Sequence, residues 1–255
     1  MNIKRIPDMS EIRTNRPKQL CVDIDTNHPL HNDPMVDLKN YPKFEDAVSY
    51  YSQPNRMTGK PLPGVPNEPL LREDAANRLA EAEHFLASSE VEQVFGCPLH
   101  IQVRDALRSI ETQKIAFEEA WPAIIKANPE KYPGYSEDFS EEELLNFIAG
   151  NNPGKVTYCA KPNPNSPHVV GGAVNIRLVN ANTGKLFDRG LNDIPEAYED
   201  NLETNPQIAL LRRLQYHAMV NIAGFAQNPG LIWQYTIGDP LWGYLTGNQP
   251  YYGQV

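Results

Sequence analysis

The sequence predicts a single α+β domain with a mainly antiparallel central sheet flanked by helices, and three observations carry that prediction. Short β-rich runs and helical periods are mixed without regular βαβ alternation. Hydrophobic residues make up 40% of the 255 positions and charged residues 22%, enough apolar material to bury a real core. No Gly/Ser linker or internal repeat divides the chain. The expected boundaries are an irregular N-terminal extension over residues 1–34 and one domain over 35–255.

Residues 1–70 are rich in Pro, Asn and Asp and hold no sustained period. TGKPLPGVPNEP (58–69) has four prolines and two glycines, so it reads as turn and extended loop. A helix follows, with Leu71, Ala75, Leu79, Ala82 and Leu86 at helical spacing. PLHIQV (98–103) reads as a strand, and residues 110–127 as a helix. Ser140 with Glu143 forms a capping box, and Gly150 supplies the stop. Strands are expected over 155–160 and 169–179, a helix over 208–225 and a last strand over 231–237. The aromatic tail WGYLTGNQPYYGQV closes the chain, and its end, PYYGQV, looks exposed enough to serve a contact.

The formal net charge is −9, and basic clusters are short, which argues against a nucleic-acid groove or an anionic membrane surface. Cys21, Cys97 and Cys159 are sparse and odd in number, giving neither a disulfide framework nor a metal knuckle. With no long apolar run and no leader-like N-terminus, the chain is expected to be cytoplasmic. Asp23, Asp25, His28, His31 and Asp33 crowd into DIDTNHPLHND, but a Pro-broken, Asn-rich segment reads more simply as a surface loop.

The segment NSPHVVGGAVNIRL (165–178) contains an S-x-H-x-x-G-x-A-x-N pattern formed by Ser166, His168, Gly171, Ala173 and Asn175. Together with Asp105 to Arg108 and the late LIWQYTIGD run, it resembles the zinc D-alanyl-D-alanine dipeptidases of the vancomycin-resistance type. That group is related to D,D-carboxypeptidases and the Hedgehog domain, and the resemblance spans residues 35–244. It implies a metal held by His168 and by the positions of Asn175 and Gln234, with the general base at Leu231. It also implies that Arg108 polarises the scissile carbonyl and that Ser166 positions substrate.

Here the implied ligand set is degenerate. Asn175 stands for an aspartate, Gln234 for a histidine and Leu231 for a glutamate. Neutral amides are poor zinc ligands, and leucine accepts no proton. No cofactor is therefore expected. The leading expectation is a repurposed, metal-independent enzyme acting on a small amino-acid or dipeptide-like substrate, in specialised metabolism. His168 would be its acid/base group and Arg108 its electrophilic clamp, with Ser166, Asn175, Trp233, Gln234 and Tyr235 around the ligand. Two alternatives stand beside it. One is a non-catalytic pseudo-peptidase binding a ligand, a protein partner or a second copy of itself. The other is residual zinc-dependent hydrolysis of D-Ala-D-Ala, with Cys159 or a histidine of the N-terminal segment replacing a lost ligand.

Overall fold

The computed structural model describes residues 4–7, 23–54, 59–62, 65–153, 158–186, 206–229 and 231–255. Strand β1 (Met35–Asp37) pairs antiparallel with β2 (Leu70–Arg72), and helix α1 (Glu73–Leu86) follows directly. Its first turn carries Glu73 and Asp74, and the Asp33 carboxylate accepts from the Asp74 N–H at 2.8 Å, satisfying one open donor. Ala75, Leu79, Ala82 and Leu86 are buried, as their spacing predicts. A short helix α2 (Ser89–Phe95) then leads into β3 (Leu99–Asp105), which starts one residue later and ends two residues later than expected.

The predicted helix over 110–127 exists in three pieces: α3 (Ile110–Ile115), a wide π segment (Ala116–Ala120) and α4 (Trp121–Ala127). Ser140 and Glu143 do form the capping box of α5 (Glu141–Ile148), the Ser140 side chain accepting from the Glu143 N–H. Strand β4 (Ala173–Asn180) starts later than expected, because Val169 and Val170 both turn their N–H groups back to the Ser166 carbonyl. Helix α6 (Pro206–Tyr216) runs on into a second π segment (His217–Ile222). The late strand is shortened to β6 (Gln234–Thr236), since the Leu231 and Gln234 N–H groups turn back to the Asn228 and Leu231 carbonyls, and it is preceded by β5 (Ala226–Gln227). Helix α7 (Pro240–Thr246) is capped by Asp239. The strand expected over 155–160 lies partly outside the described residues, and Tyr158 and Cys159 form a bend.

The main sheet is antiparallel, in the order β3–β4–β6–β5, as the fold class predicts. One face buries Ile101, Val103, Val174, Ile176, Leu178 and Tyr235 in a cluster with Leu79, Leu86, Leu211, Leu214 and Met219 from α1, α6 and the following π segment. A second cluster gathers Phe117, Ile125, Leu144, Phe147 and Ile148 with Tyr51 and Cys159. The other sheet face carries the polar residues that matter below.

Arg72 ties the chain's distant parts together. Its buried guanidinium donates to the carbonyls of Val170 at 3.0 Å, Gly253 at 2.7 Å and Asp33. The aromatic tail is accordingly not a free contact surface: Tyr251 and Tyr252 are buried, and their N–H groups both donate to the Gly238 carbonyl. His28 stacks on Tyr251 at 4.2 Å, and the His31 ring bonds the Tyr251 carbonyl at 2.9 Å. The histidines of the N-terminal segment thus hold the C-terminus in place.

Candidate functional site

The site forms where the turn over 166–172 meets the end of β3. Two hydrogen bonds join them: the Arg108 N–H donates to the His168 carbonyl at 3.1 Å, and the His168 Nδ1 lies 2.6 Å from the Ala106 carbonyl oxygen. A carbonyl can only accept, so Nδ1 carries the proton and Nε2 is a bare lone pair. Burial, then the Arg108 cation, pull the His168 pKa down to about 4, outweighing Asp105, the Ala106 carbonyl and Asn175. The imidazole is therefore neutral at pH 7.

The sheet register supplies the neighbours. Asn175 on β4 pairs with Asp105 on β3 and with Gln234 on β6, so three polar side chains cross the sheet in one row. Asp105 belongs to that row because β3 bulges: Val103 faces Ile176, yet Asp105 faces Asn175, with Arg104 as the extra residue. The Asn175 side chain lies beside the His168 ring. Neither His168 Nε2 nor Asn175 Oδ1 meets a donor, although both are buried. Turning the Asn175 amide over would offer its N–H to Nε2; otherwise a donor must come from outside.

Arg108 is engaged internally. Its Nε donates to Asp105 Oδ2 at 2.7 Å, Nη2 reaches the same oxygen, and Nη1 donates to Gln113 Oε1 at 3.3 Å. The guanidinium also lies over the Tyr51 ring, 4.8 Å from its centroid. Burial disfavours the charge, but the fully buried Asp105 overrides that and raises the Arg108 pKa. Gln113 passes the network on, donating to the Ala160 carbonyl at 2.8 Å and to Cys159 Sγ at 3.4 Å. Burial pushes the Cys159 thiol up to about 11, which keeps it protonated at neutral pH.

Of the residues expected at the site, His168, Asn175, Gln234 and Arg108 are brought together, with Ser166 half-buried at the turn beside them. Tyr235 is set apart: its register partner is Val174, so it points into the core on the opposite sheet face. Trp233 also packs against that core. Gln113 is not among the residues expected from the sequence; the RDALR run holds both Asp105 and Arg108, but not the bulge that aligns Asp105 with Asn175.

The residues present do not fit a catalytic zinc. Gln234 Oε1 already accepts from Asn228 Nδ2 at 3.1 Å, and Asn175 offers a neutral oxygen. The sole carboxylate of the row, Asp105, is neutralised by Arg108 and accepts from the Tyr50 N–H at 3.1 Å. One imidazole lone pair remains against the three donors such an ion needs. Among the described residues, no three His, Cys, Asp or Glu side chains are gathered as metal ligands, and no helix is long and apolar enough to cross a membrane.

No protein-family model matches the chain, and no curated protein matches it. Among solved structures, one that it resembles is VanYB in complex with D-alanine-D-alanine, with 16% identity and a TM-score of 0.34 over 67% of this chain and 72% of that one. Another is a zinc-bound point mutant of the vancomycin-resistance D,D-pentapeptidase VanY from a VanB-type cassette. It has 14% identity and a TM-score of 0.34 over 67% of this chain and 74% of that one. Likeness at that level transfers no residue role, and the site stands on its own geometry.

Proposed function

We propose that this chain is a dipeptidase-like protein that holds a small amino-acid or dipeptide-like ligand without a catalytic zinc, at the corner formed by His168 and Asn175. The observation that carries this reading is the pair of buried acceptors, His168 Nε2 and Asn175 Oδ1, which have no donor in this orientation of the Asn175 amide. Each unsatisfied acceptor costs about 1–3 kcal/mol, and an ammonium, amide N–H or hydroxyl entering between them relieves both. The corner is closed to solvent in this state, so entry requires movement of Asn175, the half-exposed member of the pair.

Binding is favoured over turnover by two features. A base with a pKa of about 4 is a weak proton acceptor at neutral pH, and the Arg108 donors face Asp105 and Gln113 rather than open space. The catalytic reading, metal-independent chemistry with His168 as base, has one feature in its favour. The Ala106 carbonyl fixes the tautomer that leaves Nε2 open.

Calorimetric titration with free amino acids and with dipeptides of both chiralities, with and without chelator, tests the proposal when followed by product analysis. The expected result is binding that survives the chelator, weakens in Asn175→Ala and yields no product. Conversion that survives chelation and disappears in His168→Gln selects the catalytic reading. Hydrolysis of D-alanyl-D-alanine abolished by chelator overturns both.

A further inference from the structure

We propose that Arg104 and Arg177 form an oxyanion subsite beside the His168–Asn175 corner, suited to the carboxylate of the same ligand. In its choice of carboxylate this rests on the proposed function; the arginine pair itself stands on separate geometry.

Gln102 is the register partner of Arg177, so the two share a sheet face. Arg104, two residues along from Gln102, falls on that face as well, and the bulge then brings Asp105 to the same side opposite Asn175. Two guanidinium groups therefore emerge from adjacent strands, both half-buried, beside the Asp105–Asn175–Gln234 row.

Neither arginine makes an ion pair among the described residues. Asp46 and Asp105, the carboxylates whose charge reaches Arg104, are already committed. Asp46 bonds His100 through Oδ1 at 3.1 Å and accepts from Gln102 Nε2 through Oδ2 at 2.9 Å. Asp105 is taken by Arg108 and the Tyr50 N–H. Arg104 and Arg177 therefore neighbour each other with no direct acidic partner among the described residues. Burial and then the Arg177 cation press the Arg104 pKa down, while Asp46, Tyr50 and Asp105 draw it back. Tyr50 lies in the field of Arg104, Arg108 and Arg177. An anion between the two guanidinium groups would remove their repulsion and gain charge-assisted hydrogen bonds, which a planar fork makes well with a carboxylate.

Spacing suggests one ligand spanning both places. Arg177 is two positions beyond Asn175 on β4, about 7 Å along the strand, and a dipeptide extends roughly as far from amine to carboxylate. Its amine would meet His168 Nε2 and Asn175 Oδ1, and its carboxylate Arg104 and Arg177.

The test compares wild type, Arg104→Gln, Arg177→Gln, the double variant and Asn175→Ala. Melting temperature is followed against sodium acetate, phosphate and chloride at equal ionic strength, and calorimetry against alanyl-alanine and its C-terminal amide. Acetate is expected to stabilise wild type and Asn175→Ala beyond chloride, but not the double variant. Alanyl-alanine affinity is expected to fall about tenfold or more for each arginine removed, and by a similar factor for the amide on wild type. An acetate response retained in the double variant, or no anion exceeding chloride on wild type, overturns the subsite. A response to phosphate alone overturns the carboxylate assignment. Acetate binding without dipeptide binding leaves the subsite standing and contradicts the proposed function instead.

Discussion

The Nδ1 atom of His168 lies 2.6 Å from the carbonyl oxygen of Ala106, and this one contact decides what the imidazole offers. A histidine so held presents Nε2 as a lone pair, the arrangement in which a carbonyl behind the ring orients a metal-binding imidazole. The groups around that lone pair are amides and a carboxylate already paired with arginine.

Two histidines, His168 and His100, should pull stability in opposite directions with pH. The folded His168 has a pKa of about 4 against an ordinary 6.5, so its contribution is whole above about 6.5 and is lost as pH falls through 4. For His100, burial lowers the pKa, but hydrogen bonds to Asp46 and Glu83 outweigh it and raise it to about 9. Its contribution is whole below 6.5 and is lost as pH rises through 9. Each limb should amount to a few kcal/mol, since every tenfold change in proton affinity on folding is worth about 1.4 kcal/mol. Urea midpoints between pH 4 and 9 should show His168→Gln without the acid limb and His100→Gln without the alkaline limb. Unchanged limbs in both variants would contradict the assignment.

Removing Arg72 should be among the most damaging single changes. Three carbonyls from residues 33, 170 and 253 would lose a charged donor in a buried place. Arg72→Met is expected to cost roughly 3–5 kcal/mol in denaturant unfolding, and Arg72→Lys nearly as much, since an ammonium cannot reproduce the fork. A loss below about 1 kcal/mol would show that the three segments are held by other contacts.

Gly172 has no room for a side chain. An added Cβ would stand 2.4 Å from the Ile237 carbonyl oxygen, at the place where Gly172 itself accepts the Ile237 N–H. Gly172→Ala should destabilise by about 1–3 kcal/mol, read as a lowered melting temperature. An unchanged melting temperature would mean that the turn and β6 are farther apart than described.

The register also makes an introduced metal site testable. Asn175 and Gln234 are direct partners on adjacent strands, and His168 lies against Asn175. Asn175→Asp combined with Gln234→His would gather an imidazole, a carboxylate and a second imidazole, enough for zinc with an open position. The double variant is expected to bind one zinc per chain by equilibrium dialysis with metal analysis. Failure to do so in a folded protein would show that the row does not converge.

Much of the fold was legible because local signals and tertiary packing agreed. The helical spacing of Leu79, Ala82 and Leu86, the Ser140 capping box and the β-rich run before Asp105 all appear as read. The later strands were overdrawn, since Val169, Val170 and Leu231 are apolar residues whose N–H groups close turns instead of ladders. Tyr251 and Tyr252 looked exposed because nothing local reveals that His28, His31 and Arg72 fold over them. At the site, the pairing of β4 with β6 sets Asn175 opposite Gln234, with His168 beside Asn175. The bulge at Arg104 is not legible in the sequence, because it depends on pairing between strands some seventy residues apart.

Zinc content separates a ligand-holding corner from a working metallopeptidase. Protein purified without chelator and dialysed against trace zinc should carry far less than one equivalent, and His168→Gln should not change that figure. One tightly held zinc per wild-type chain, lost when His168 is replaced, would contradict the proposal of a ligand-holding corner without zinc.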